Sequence, residues 1–210
     1  LDQIKIKIKE KELSDLSRNV FYQLRGLQDI SGIKIWLSKY SGPFLISDKL
    51  DGSSALLEQK NGKRTLFSRG DGTVGKNISH LLPLIHLPKI DRDFCLRGEL
   101  IISKENFKKQ TKFVTARSLV NGLSNKKSLI DSCELEFVIF EVIYFDKYTN
   151  IIPSKQLELS QKLGFTTCNH KLCSYDEIQN MGLENSIETS FILKTLFDFR
   201  QNTLYDIDGI

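Results

Sequence analysis

The sequence predicts an α+β fold with a largely antiparallel sheet flanked by helices. Three observations predict it. Short apolar runs alternate with turn residues from Phe44 to Ile102. The pair Asn61-Gly62 separates two such runs, Ala55–Gln59 and Arg64–Ser68, which is a strong hairpin signal. Helix-like stretches at Lys104–Gln110, Arg117–Leu123 and Pro153–Leu163 are mixed in with the later strands. No internal repeat and no low-complexity stretch interrupts this order.

The elements can be taken in order. Ile4, Ile6 and Ile8 alternate with lysines, as in a short strand or a charged arm. Ser14 is placed to cap a helix over Asp15–Leu24. Gly42-Pro43 then marks a break. Residues 1–41 therefore read as a leading helical and charged segment, and 42–210 as the core. Phe44-Leu45-Ile46 reads as a buried strand that delivers Lys49 at its end. The hairpin around Asn61-Gly62 should bring the loops at Lys49 and Arg69 to one end of one sheet. Phe94–Ile102 and Phe137–Phe145 read as further strands, the second densely apolar. Lys104–Gln110 and Arg117–Leu123 read as helices. Pro153 suits the first turn of a helix running to Leu163. Phe191–Phe199 is expected to be the last helix, and Tyr205–Ile210 to return as a strand.

Composition narrows the setting. The 210 residues suffice for one sizeable core. A hydrophobic content of 40% with 27% charged residues is ordinary for a globular chain. The net charge of +4 permits nucleic-acid binding without demanding it. No apolar run is long enough to span a bilayer, and no signal peptide is apparent. Cys95, Cys133, Cys168 and Cys173 form no CxxC pair. Cys168 and Cys173 flank His170, yet a cluster without a second half is more often structural than a zinc site. Reduced thiols and an intracellular setting are the simplest reading. The chain begins at Leu1 and stops at Ile210 in mid-pattern, so a piece of a longer protein is expected.

Four short motifs carry chemistry. Lys49-Leu50-Asp51-Gly52 places an amine beside a glycine that permits close backbone approach. A lysine attacks phosphorus only when unprotonated. Its free pKa is near ~10.4, so a nucleophilic role asks for burial or cationic neighbours. Taken alone, K-x-D-G is more often an exposed lysine in a turn. Ser68–Gly75, reading S-R-G-D-G-T-V-G, adds Arg69, whose fork-shaped cation suits phosphate or ribose oxygens. Arg97-Gly98-Glu99-Leu100 puts a carboxylate on a strand, where it could meet ribose hydroxyls, a metal or only a surface cation. Asp206-Ile207-Asp208-Gly209 pairs two acids on one face of a strand, an arrangement suited to a divalent cation or to a solvated turn.

As an ordered set, these motifs resemble the adenylylation domain of NAD-dependent DNA ligases, in the form associated with large DNA viruses. The resemblance runs from about Ser41 to Ile210. F-V-T-A-R-S-L-V-N-G at Phe113–Gly122 is similar to the family's F-x-N-P-R-N-x-x-x-G and gives Arg117 a counterpart. F-V-I-F-E-V at Phe137–Val142 resembles the strand that supplies an aromatic ring to the adenine, with Phe140 in that place. Arg200 falls eight positions before Asp208, like a nucleotide-contacting arginine of the family. The sequence departs from the pattern at Ser47, where a glutamate is usual, and at Asn125, where an arginine is.

The resemblance implies a nucleotidyltransferase (ATP-grasp-like ligase) core. It implies Lys49 as the catalytic nucleophile, with Asp51, Gly52, Arg69, Glu99, Arg117, Phe140 and Arg200 binding the nucleotide and Asp208 a metal. NAD and Mg2+ are the implied cofactors. Adenine nucleotide and nicked duplex DNA are the implied partners, with no membrane. AMP would pass from Lys49 to a 5′-phosphate and then be displaced by a 3′-hydroxyl. A last lysine motif would lie past Ile210, so this stretch alone is expected not to seal nicks. Two other readings share the lysine motif or the scaffold: an ATP- or GTP-using ligase or capping-type enzyme, and a degenerate core kept for binding nucleic acid.

Overall fold

The computed structural model of the chain describes residues 3–5, 34–35, 37–70, 74–126, 133–146, 152–180 and 190–210. The expected cap Ser14 and the helix Asp15–Leu24 lie outside them, as do Ile6 and Ile8. The chain divides into two compact units. One takes Lys49–Cys168 and Thr203–Gly209, together with the short strand near the N-terminus. The other is built from the described parts of Lys7–Asp48 and Asn169–Asn202.

The first unit is organised on a four-stranded antiparallel sheet. Its strands are β4 (Ser53–Lys60), β5 (Lys63–Ser68), β7 (Phe94–Ile101) and β8 (Glu136–Phe145), in the order β5-β4-β7-β8. The hairpin β4–β5 turns at Asn61 and Gly62 as expected, with φ of 51° and 75°. Two successive positive φ angles are what a tight turn matching the strand twist requires. One face of the sheet carries Leu57, Leu66, Phe94, Leu96, Leu100, Phe137 and Ile139 into the main core. Phe94 stacks on Phe145 at 6.0 Å and meets Phe165 edge-on at 5.6 Å. Such aromatic pairs add about 0.5–1.5 kcal/mol beyond the area they bury.

Helices cover that core face. α1 (Lys104–Lys108) is capped by Ser103, whose side chain accepts from the Asn106 N–H. α2 (Ala116–Asn125) begins with a reciprocal capping box between Thr115 and Ser118. It presents Ala116, Leu119, Val120 and Leu123 at helical spacing to the core. α3 (Pro153–Lys162) has its proline in the first turn, as the sequence suggests. A short 3-10 helix spans Ser79–Leu84. The strand pair β1 (Gln3–Lys5) and β6 (Val74–Lys76) is antiparallel, as is the pair β3 (Lys49–Leu50) and β10 (Ile207–Gly209).

In the second unit, β2 (Phe44–Ser47) pairs with β9 (His170–Cys173). The sequence anticipates Phe44–Ile46 as a strand but not that it belongs to a different unit from the β4–β5 hairpin. The reason is that its partner, β9, lies over 120 positions away, and no local pattern encodes such a pairing. Phe44, Cys173, Ile178 and Phe191 form the small core here, with Leu37. α4 (Tyr175–Asn180) and α5 (Phe191–Asn202) complete the unit. The four cysteines are buried. Among the described residues no helix is long and apolar enough to cross a membrane. The described residues form an α+β fold with antiparallel sheets flanked by helices.

Candidate active site

The site grows from the pairing of β3 with β10. Leu50 lies opposite Ile207 and Lys49 opposite Gly209, so the ladder passes over Asp208. A β-bulge of this kind re-aims the side chain at the unpaired position. Asp208 Oδ2 accepts a 2.9 Å bond from Lys49 Nζ. The Asp51 N–H donates to the Asp206 carbonyl at 2.9 Å and fixes the next turn of the chain. Simple alternation would have given Asp206 and Asp208 equivalent roles; the bulge gives Asp208 to the lysine.

Charge then alternates outward from Lys49. Arg117, on the first turn of α2, donates from Nη1 to Asp51 Oδ1 at 2.9 Å and stands 3.9 Å from Asp208 Oδ2. Two cations and two carboxylates thus face one another. Lys49 itself is 61% exposed in its side chain. The burial expected from the strand before it is absent; the buried residue of β3 is Leu50. The physical reason is strand alternation, which turns neighbouring side chains to opposite faces.

Gly52 brings this turn against β7. A Cβ at Gly52 would lie 2.5 Å from the Leu100 carbonyl oxygen and 2.8 Å from Glu99 Cγ. Backbone cannot yield at such a distance. Gly52→Ala is therefore expected to cost about 1–3 kcal/mol, the usual range for overpacking, and to push the Lys49 turn away from Glu99. Thermal unfolding checks the first effect. A Gly52→Ala variant as stable as wild type would show that the turn can move freely.

Glu99 is 7% exposed, mid-strand, and accepts from Ser54 Oγ at 2.8 Å and from the Gly52 N–H. Burial pushes its carboxyl up to about 7, against the opposing pull of Ser54, Arg117 and Gly52. Two positions before it on β7, Arg97 makes an ion pair with Glu141. The Ser54 carbonyl accepts from the Arg69 N–H at 3.1 Å, so the arginine loop does reach the same end of the sheet. Gly70 has φ +58°, and a Cβ there would lie 1.7 Å from the Val74 carbonyl oxygen. Only glycine fits that crossing. Asp71, Gly72 and Thr73 lie outside the described residues. The Arg69 guanidinium is exposed and has no partner among the described residues.

One connected line therefore runs Lys49, Asp208, Arg117, Asp51, Gly52, Glu99, Ser54, Arg69. Phe140 lies on β8, half-buried and outside the core cluster. Ser54, β10 as the partner of β3, and the Arg97–Glu141 pair were not legible as site features, because each depends on register between distant strands. Arg200 lies on α5 in the second unit and is exposed. Of the two departures, Ser47 pairs with His170 in the β2–β9 ladder, and Asn125 Oδ1 accepts from Lys76 Nζ at 3.4 Å. Among the described residues no group of three histidines, cysteines or acids could hold a metal ion. Asp208, the residue expected to hold Mg2+, is bonded by Lys49 in this structure.

Comparison with known proteins gives the arrangement a context. The chain is 36% identical over 192 residues to a DNA ligase of Acanthamoeba polyphaga mimivirus, covering 87% of this chain and 28% of that protein. It is 30% identical over 189 residues to a putative DNA ligase of Invertebrate iridescent virus 6, covering 85% and 29%. A DNA ligase of Clostridioides difficile is 30% identical over 204 residues, covering 87% and 29%. The chain thus spans less than a third of the length of these relatives. A solved structure of a mycobacterial DNA ligase D complexed with ATP and MES is 17% identical, with a TM-score of 0.44 over 65% of this chain and 43% of that one.

Residues 27–181 match the family described as the ATP dependent DNA ligase domain. This corrects the expectation of an NAD-dependent family and of NAD as the cofactor. That expectation rested on the ordered set of motifs, the Arg69 loop among them. A glycine-rich loop with one arginine can approach the phosphates of any adenine nucleotide, so it does not identify the leaving group. The match covers most of the chain, which belongs to the ATP dependent DNA ligase domain family.

Proposed function

We propose that this chain is the adenylyl-accepting core of a DNA ligase that uses ATP. The observation that carries the reading is the line of contacts, through side chains and backbone groups, from Lys49 to the Arg69 N–H, with Lys49 at its exposed end.

In the proposed reaction the Lys49 Nζ lone pair attacks the α-phosphorus. A P–N bond forms, the bond to pyrophosphate breaks, and Nζ loses its proton. Lys49 must first leave Asp208, and Arg117 is already placed to hold that carboxylate. Arg69, exposed, would meet phosphate or ribose oxygens. Glu99, held by Ser54 and Gly52, would accept from ribose hydroxyls, and Phe140 would offer its ring to the adenine. In the whole protein the AMP would then pass to the 5′-phosphate at a nick in duplex DNA, where the 3′-hydroxyl displaces it.

The test is incubation with adenine-labelled ATP in magnesium buffer, followed by mapping of the adduct, with labelled NAD as a parallel arm. Label on Lys49 from ATP is expected. Label from NAD alone would overturn the ATP reading, and label on another lysine would overturn the site.

A further inference from the structure

The ladder between β7 and β8 is broken twice within a few residues. Leu96 lies opposite Val142 and Arg97 opposite Glu141, but the next pairs on either side are Cys95 with Tyr144 and Gly98 with Ile139. The pairing passes over Ile143 and over Phe140. Each is a β-bulge, and two of them isolate Glu141-Val142 as a two-residue island in the strand.

The bulges change which side chains face where. Ile139, Val142 and Phe145 enter the core, three apart instead of two. The positions between them lie outside the core cluster, so the other face of β8 receives Phe140 and Glu141 side by side. That face also carries Arg97 and Glu99 on β7, and Ser54 on β4, which bonds Glu99. Without the first bulge, strict alternation could not hold both Ile139 and Val142 in the core.

Two contacts hold the island in place. Arg97 Nη1 bonds Glu141 Oε2 at 2.5 Å, and the Val142 N–H donates to the buried Gln156 side chain of α3 at 2.9 Å. The Glu141 side chain is only 13% exposed, so its carboxylate is costly to leave unpaired, and Arg97 is the cation that opposes that cost. Arg97 is anchored in turn by its place in the central strand of the sheet.

We infer that the Arg97–Glu141 ion pair is a positioning device: it pins the β8 island so that the bulge holds Phe140, half-buried, on the Glu99 face of the sheet, ready for a flat base. The inference rests on the proposed role of Phe140 for its functional meaning, though not for its structural one. Arg97 and Glu141 act through Phe140 and do not touch the nucleotide.

Two measurements on the 210-residue chain test it. In phenylalanine-selective ring 13C NMR, with the Phe140 signal identified by its loss in Phe140→Leu, Glu141→Ala should shift and broaden that signal. The charge-swapped pair Arg97→Glu with Glu141→Arg should restore it. In Lys49 adenylylation, Glu141→Ala should raise KM for ATP roughly tenfold with kcat within about twofold, and add nothing in a Phe140→Ala background. Glu141→Gln, nearly isosteric, serves if the alanine variant does not fold. A Phe140 signal that ignores Glu141, or an equal KM penalty with and without the Phe140 ring, overturns the inference. If the wild-type chain takes no label from ATP, the functional reading fails, and the NMR result still decides whether the pair positions Phe140.

Discussion

Lys49→Ala loses labelling by ATP altogether, and Lys49→Arg loses it as completely. The alanine removes the nucleophile. The arginine keeps the charge and the reach to Asp208 but cannot deprotonate in a protein, so it has no lone pair to offer phosphorus. A fall of at least roughly 10³-fold is expected, as for loss of other covalent nucleophiles. Neither change should unfold the chain. The Lys49–Asp208 pair is exposed on the lysine side, and exposed pairs contribute about 0–1 kcal/mol. Melting temperature should therefore stay within about 4 °C in a domain of this size. Intact-mass measurement after incubation with ATP reads the first effect and calorimetry the second. Residual adduct in either variant would place the nucleophile elsewhere.

Much of this site could be read from the residues, and the parts that could not share a cause. Local chemistry was legible. Asn61-Gly62 dictated its turn because both positions take positive φ. Lys49-Leu50-Asp51-Gly52 and Asp206-Ile207-Asp208-Gly209 were recognisable as motifs, but not as partners. Their pairing joins residues 159 apart, and the bulge at Asp208 that turns an acid toward the lysine leaves no periodic trace. The two bulges in β8 were hidden for a different reason. Phe137–Phe145 is apolar or aromatic at most positions, so the shift from a spacing of two to a spacing of three had no polar marker to betray it. The identity of the nucleotide was misread from the ordered set of motifs, the Arg69 loop among them, since one cation reports a phosphate and not what leaves with it. Glu99 was legible as a carboxylate on a strand, with a surface cation among its possible partners. Its position opposite Ser54, under the Gly52 turn, makes it one of the buried acids of the chain instead.

That burial reverses the expected behaviour of Glu99→Gln. The folded-state pKa is raised to about 7 from an ordinary 4.5, mainly by desolvation. A raised acid contributes its full share of stability below the unfolded value and loses it as pH climbs through the folded one. The window is therefore about pH 4.5 to 7. Above it, the native state holds a charge that the unfolded chain carries more easily, at a cost on the order of 3 kcal/mol at ~1.36 kcal/mol per pKa unit. Glutamine keeps an oxygen for Ser54 and the Gly52 N–H without that charge. Glu99→Gln should thus match wild type near pH 4.5 and melt several degrees higher at pH 8. Asp48, pushed up to about 6 by its own burial, weakens both proteins alike and cancels in the difference. Adenylylation should move the other way, falling roughly 10²-fold as the charged acceptor for ribose hydroxyls is lost. A polar group whose removal stabilises the fold and disables the reaction is held there for function. Calorimetry of both proteins across pH 4.5 to 8, beside their labelling rates, decides the matter. If Glu99→Gln is less stable at pH 8, the carboxylate is a structural support. If it is more stable yet labels normally, Glu99 has no part in holding the nucleotide.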